Sequence, residues 1–436
     1  MSPATLGARP RLLTRHRLGL LGSFAGTQVV VQALAFAVGL LLVRQMAQQE
    51  YGWYTLLVAA VSTGAVLADL GLTMGALALG GRMGAQPGAM SEVMHDAGRL
   101  LRRWLLFLLP ALALGLAWLL QRQQAPGSIV LWLAVLAAAT VALNARGALA
   151  LVLVRLLGHV RLQQQLDLAC NGLRLVVVLA LTAGAAHWLN AASAALLGLG
   201  VAAACAVVLN RFVARHAPPS EATGVDLHRT ELLRAVARQA PNSLYFVVSS
   251  QVAVGLIALF GNANSVADVG ALGRLGALFT LIGAITAALV LPFFAKQQEG
   301  AELARGLAAV QVFFAALFAA LLALGVLAPG VLLWLLGPSY AGLQPELPWV
   351  LAASTLSAWG GTLYGIGCTR GWVLPFAWSV PAGLLVMSLV ALSVDLSTVH
   401  GVLAVNAAAA LTLLLLVSAF LGWRVVRMPA PAVIRA

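Results

Sequence analysis

Twelve apolar stretches organise this chain, at 20–43, 53–79, 104–120, 129–157, 168–186, 190–209, 243–260, 270–295, 307–326, 347–368, 372–394 and 402–421. A helix crossing a bilayer needs about 20 apolar residues, and only helices or closed barrels satisfy their backbone within lipid. The pattern therefore predicts an all-α polytopic membrane protein of about 12 transmembrane helices. The third stretch is short and carries Pro110; Pro292, Pro375 and Pro381 are further expected kinks. The longest connection divides the stretches six and six. It predicts an N-terminal six-helix lobe (1–210), an inter-lobe linker (211–241) and a C-terminal six-helix lobe (242–436).

Charge sets the expected orientation. With the N-terminus in the cytoplasm, 21 of the 26 basic residues fall in cytoplasmic segments, and only Arg44 and Arg122 fall outside. That asymmetry predicts cytoplasmic N- and C-termini. The basic N-terminus runs straight into a full span, so it reads as an uncleaved first helix. The linker holds Pro218-Pro219 and then an expected short amphipathic helix from Asp226, with Leu232, Leu233 and Val236 on one side.

Composition agrees with the pattern. The chain is 61% hydrophobic and 9% charged, against about 25% charged in soluble domains. A net charge of +13 would suggest nucleic acid in a soluble protein; here topology accounts for it, and no nucleic-acid partner is expected. No glycine-spaced phosphate loop surrounds Lys296, the only lysine. No external loop is long enough for a catalytic domain, and the seven histidines are scattered. Cys170, Cys205 and Cys368 lack metal-ligand spacing and read as small buried hydrophobes rather than a disulfide or zinc site. Neither cofactor nor metal is expected, and the chain reads as a non-enzyme.

The two halves share a pattern. Glu50-Tyr51-Gly52 precedes the second stretch and Asp268-Val269-Gly270 the eighth, as parallel repeats would have it. The candidate chemistry lies in charges inside the stretches: Asp69, Arg146, Arg174 and Arg274. A membrane-centre arginine costs about 2.5–3.5 kcal/mol on insertion scales, so each needs water, a carboxylate or an anionic ligand. Guanidinium forks match phosphate oxygens. Arg146 and Arg174 sit where snorkelling towards the cytoplasmic face is the competing expectation, and Asp69 where pairing with either arginine is. Gln28 and Gln32 on the first stretch, one helical turn apart, and Gln251 on the seventh add polar cavity candidates, with interhelical hydrogen bonds as the alternative.

Several of these residues resemble a family. Leu42-Val43-Arg44-Gln45-Met46, Glu50-Tyr51-Gly52-Trp53-Tyr54 and Ala68-Asp69-Leu70-Gly71-Leu72 are similar to the N-terminal signature of Wzx-type polysaccharide flippases. Those proteins belong to the multidrug/oligosaccharidyl-lipid/polysaccharide exporter superfamily. Val269-Gly270-Ala271-Leu272-Gly273-Arg274, Leu291-Pro292 and Leu336-Gly337-Pro338-Ser339-Tyr340 continue the likeness, with Leu272 where members usually carry an aromatic. The resemblance implies a MATE-like pair of lobes in a bacterial inner membrane. It implies transfer of undecaprenyl-diphosphate-linked oligosaccharide between leaflets, and a cationic cavity to which Arg146, Arg174 and Arg274 contribute. A polysaccharide polymerase and a chain-length regulator are the implied protein partners. Two other readings stay open: a MATE-like multidrug exporter, which would favour cavity acids, and a polytopic polymerase or ligase, which would usually carry a large external loop.

Overall fold

The computed structural model describes residues 15–82, 87–184, 190–216, 228–286, 290–297, 300–372 and 374–427. Among them the regular structure is helical throughout, and the fold is that of an all-α polytopic membrane protein. The helices of the first half are α1 (Arg15–Gln45), α2 (Gln48–Asp69), α3 (Leu72–Arg82), α4 (Pro87–Arg122), α5 (Gly127–Leu156), α6 (Val160–Gly184) and α7 (Ala191–His216). The second half has α8 (Arg229–Phe260), α9 (Ala263–Gly276), α10 (Leu278–Ile285), α11 (Leu291–Lys296), α12 (Ala301–Leu327), α13 (Pro329–Leu336), α14 (Leu347–Thr369), α15 (Phe376–Ser393) and α16 (Val399–Val426). Short connections make successive spans antiparallel.

Eleven candidate spans among the described residues are long and apolar enough to cross a membrane, with α2–α3 and α9–α10 each merging into one span. The twelfth expected span is α14, 23 residues long but below that apolarity. Its polar positions need no lipid-facing surface. Thr355 and Thr362 are buried and donate to the carbonyls of Leu351 and Ala358 one turn back, at 2.7 and 2.8 Å, and α12 and α16 pack around the helix.

Several boundaries move. The third span is a full-length helix with Pro110 inside it. α6 begins at Val160, eight residues before the expected start, which moves Arg174 toward mid-helix. Leu232 and Val236 belong to the first turns of α8 rather than to a separate amphipathic helix, and Leu232 is buried against α2–α5. Pro218-Pro219 and Asp226 lie outside the described residues. Cys170 on α6 and Cys205 on α7 are disulfide-bonded, against expectation. Their spacing carried no such signal, because packing decides which faces of an antiparallel pair meet. Cys368 is free and exposed.

The second span is broken at its far end. Leu70 and Gly71 have φ of 40° and 91°, and the Asp69 carboxylate accepts from the N–H groups of Gly71 and Thr73 at 3.3 and 2.9 Å. The side chain thereby caps α3 as it restarts.

The first helix of each half reaches across to the other: α1 packs on α10, and α8 on α2 and α3. The halves meet most closely where α2 crosses α9. A Cβ on Gly52 would run into the Ala263 carbonyl, and one on Gly270 into the Thr55 side chain. The paired glycines of the sequence pattern thus each seat the partner helix. One large core joins the halves at this end, with Tyr51, Trp53 and Leu56 beside Val266, Leu272 and Leu336. Toward the opposite end the core divides. One part surrounds α2–α5 with Leu232, and another links Phe294 and Leu307 to Leu363 and Leu414.

Candidate functional site between the two halves

The opening turns of α2 organise the joined end. Tyr51 to Leu57 are all buried, so every polar group there needs a partner. Glu50 accepts from the N–H of Ala191 at 2.9 Å, placing its charge at the N-terminus of α7, where the helix dipole favours an anion. Trp53 donates to the Gln123 carbonyl at 3.4 Å, and Gln123 donates across to the Ala258 carbonyl at 2.7 Å.

Gln48 donates to Asp268 at 2.8 Å across the halves. Arg44 donates to the Trp334 carbonyl at 2.7 Å, with its guanidinium 4.9 Å from the Trp334 ring centroid.

Two of the intramembrane arginines meet here. Arg274, from α9, donates through Nε to the Tyr51 hydroxyl at 2.9 Å and lies beside Tyr54 as well. Its stem passes Gly39 of α1, where a Cβ would sit 3.1 Å from Cδ. Arg174, from α6, donates to the Tyr54 hydroxyl at 3.3 Å, and its Nε is buried without a partner. Neither forms an ion pair with a carboxylate among the described residues. Tyr51 also donates to the Gly270 carbonyl at 3.5 Å.

Tyr340 closes the cluster, its ring edge-on to Tyr51 at 6.5 Å. Burial pushes the Tyr340 hydroxyl's pKa up, and that hydroxyl has no hydrogen-bond partner among the described residues. Two guanidinium groups rest on phenol hydroxyls with no ion pair to a carboxylate among the described residues. A doubly charged oxyanion would satisfy them far better.

The other sequence candidates fall elsewhere. Asp69 caps α3 and pairs with neither arginine; a carboxylate beside freed backbone N–H groups is better served by them than by a guanidinium on another helix. Arg174 does not snorkel to the near face but reaches inward to Tyr54. Gln32 accepts from Thr280 of α10 at 3.1 Å, a contact between the halves. Gln28 and Gln251 are half-buried on α1 and α8. Arg146 is exposed on α5 and lines a groove with Arg99, Arg102 and Arg103 of α4, apart from the tyrosine cluster.

Sequence reasoning passed over Tyr51, Tyr54, Tyr340 and Gln123 as partners of this site. Tyr51-Gly52-Trp53-Tyr54 was visible as an aromatic opening, but nothing in it says which arginines face it.

In sequence the chain matches no protein-family model and no curated protein. In structure it is similar to a lipid II flippase, MurJ, in an inward closed conformation. That likeness has a TM-score of 0.73 and 10% identity, and covers 92% of this chain and 87% of that one. It is similar also to a multidrug resistance MATE family transporter of the MOP superfamily in an inward-facing conformation, with TM-score 0.68, 15% identity and coverage of 93% and 98%. An outward-facing structure with the same description gives 0.59, 14%, 93% and 95%. The fold is like that of these MATE and MurJ structures. These neighbours are transporters and a flippase rather than enzymes. Within this fold, the tyrosine–arginine cluster sits where the two halves close on one another.

Proposed function

We propose that this chain is a flippase for undecaprenyl-diphosphate-linked oligosaccharide in a bacterial cytoplasmic membrane, with both termini in the cytoplasm. The observation that carries the reading is the convergence of Arg174 and Arg274, one from each half, on Tyr51 and Tyr54, with no ion pair to a carboxylate among the described residues. In this orientation the joined core lies at the external side and the divided core at the cytoplasmic side, a cytoplasm-open state. Among the MATE transporter structures, the higher TM-score of the inward-facing one, 0.68 against 0.59 for the outward-facing one, supports that assignment.

The diphosphate–sugar headgroup enters between the halves from the cytoplasm while the prenyl tail stays in lipid. Its phosphates draw the two guanidinium groups off the phenols. Losing the Arg274–Tyr51 bond removes one of the ties between the halves, so substrate binding itself loosens the external closure. Rocking of the halves then exposes the headgroup outward. No covalent step is needed. An inside-negative potential favours outward movement of the anion by about 2.3 kcal/mol per charge per 100 mV.

A polymerase and a chain-length regulator acting on the delivered unit fit this role as partners. A cation-coupled drug exporter would want an acid facing the cavity, whereas the Asp69 carboxylate is engaged by two backbone N–H groups.

The test is flipping of a fluorescent lipid-diphosphate oligosaccharide in proteoliposomes. Arg174→Ala and Arg274→Ala are expected to lose at least about tenfold in rate, one charge-assisted contact to phosphate. Full activity in both variants would remove the cluster from the mechanism. Absence of flipping by folded wild type across several headgroups would overturn the function.

A further inference from the structure

A second cationic feature lies away from the site between the halves. Arg99, Arg102 and Arg103 on α4 and Arg146 on α5 line a groove of about 640 Å³ whose walls include Leu106, Leu109 and Pro110. Asp96 pairs with Arg99 at 2.8 Å and also accepts from the His228 N–H. Four guanidinium groups thus line one groove. Arg146 is exposed, with no hydrogen-bond or ion-pair partner among the described residues.

Depth tells what such a groove would meet. α4 and α5 share the turn after Arg122. Counting along both helices at ~1.5 Å per residue, Arg102 and Arg146 lie about 30 Å from that turn. A bilayer's hydrocarbon core is about 30 Å thick, so both arginines stand at the headgroup level of the opposite leaflet. Leu106 and Phe107, 71% and 74% exposed on the next turn of α4, make the adjoining surface acyl-facing. α5 packs on α2, α3, α4, α6 and α7, all of the first half, while α4 also touches α8, so the Arg146 wall of the groove belongs to the first half. Guanidinium groups at headgroup depth over an apolar wall match a phosphate on an acyl chain.

We infer that this groove is a binding site for an anionic phospholipid of the leaflet at the far end of the bundle, its phosphate on Arg102 and Arg146 and its acyl chain along Leu106, Leu109 and Pro110. Arg102→Gln/Arg146→Gln tests it, with Arg102→Lys/Arg146→Lys as the charge-retaining control.

Each protein is placed in phosphatidylcholine nanodiscs with a rising fraction of phosphatidylglycerol, and lipid retained after detergent extraction is counted by native mass spectrometry. The wild type is expected to retain phosphatidylglycerol and to gain thermal stability with it. The glutamine variant should bind it at least about tenfold more weakly, two charge-assisted contacts having been removed. The lysine variant should fall between them. All three should melt alike in pure phosphatidylcholine, because both arginines are exposed. Equal retention by wild type and the glutamine variant would overturn the site. Displacement of the lipid by inorganic pyrophosphate, or by a lipid-linked diphosphate at equimolar level, would also overturn it; the groove would then be a free-phosphate site or a substrate dock.

Discussion

Gly270 and Thr55 make a contact that can be tested atom by atom. A Cβ on Gly270 would meet the hydroxyl, methyl and Cβ of Thr55, whereas one on Gly52 would meet the backbone carbonyl of Ala263. Gly270→Ala should therefore cost about 1–3 kcal/mol by overpacking. Thr55→Ala should recover most of that loss, because the obstacle is a side chain. Gly52→Ala should have no such rescue at Ala263, whose backbone stays in place whatever its side chain. Thermal unfolding in detergent, read as a double-mutant cycle, measures the coupling; additive losses for Gly270→Ala and Thr55→Ala would refute the contact. Tyr51→Phe removes the acceptor for Arg274 Nε and leaves a buried donor unpaired, at about 1–3 kcal/mol. Both tyrosines were legible as an aromatic motif, but their bonds to arginine were not. A hydrogen bond between residues some 220 positions apart leaves no local pattern.

At the scale of the element, the break between α2 and α3 is the instructive case. Asp69 drew notice as an acid inside an apolar run, and the resemblance gave it no assigned role. In the structure its oxygens take the N–H groups of Gly71 and Thr73 across a left-handed turn. That arrangement predicts near-neutral stability for Asp69→Asn, since asparagine caps as well as aspartate, and a loss of about 1 kcal/mol for Asp69→Ala. A cation-binding Asp69 would behave differently: Asn would abolish any sodium- or proton-dependent shift in melting temperature. α6 shows the same lesson in another form. Starting the helix at Val160 rather than in the apolar run moves Arg174 deeper, and with it the reach of its guanidinium. Helix ends depend on capping and on neighbours, neither of which hydropathy records.

At the scale of the whole molecule, one core joins the halves at one end and separate cores serve them at the other. The arginine distribution of the sequence predicts that the divided end faces the cytoplasm. Thiol labelling tests this in a Cys368→Ser background. Ser128→Cys, exposed at the start of α5, should react with an impermeant maleimide on intact cells. His159→Cys, exposed in the turn before α6, should react only after permeabilisation. The reverse pattern would invert the orientation and place the tyrosine–arginine closure at the cytoplasmic face.

Local chemistry was enough for the class of fold and eleven of the twelve expected spans, because burying a backbone in lipid demands long apolar helices wherever they occur. It also exposed the glycine pair at the crossing of the halves and the arginines whose burial is costly. Tertiary structure decided where those arginines go. Arg174 and Arg274 converge on Tyr51 and Tyr54, Arg146 lines a groove with α4, and Cys170 bonds Cys205. Each outcome depends on which faces of distant helices meet, and that is set by packing across the whole bundle rather than by any stretch of the chain alone.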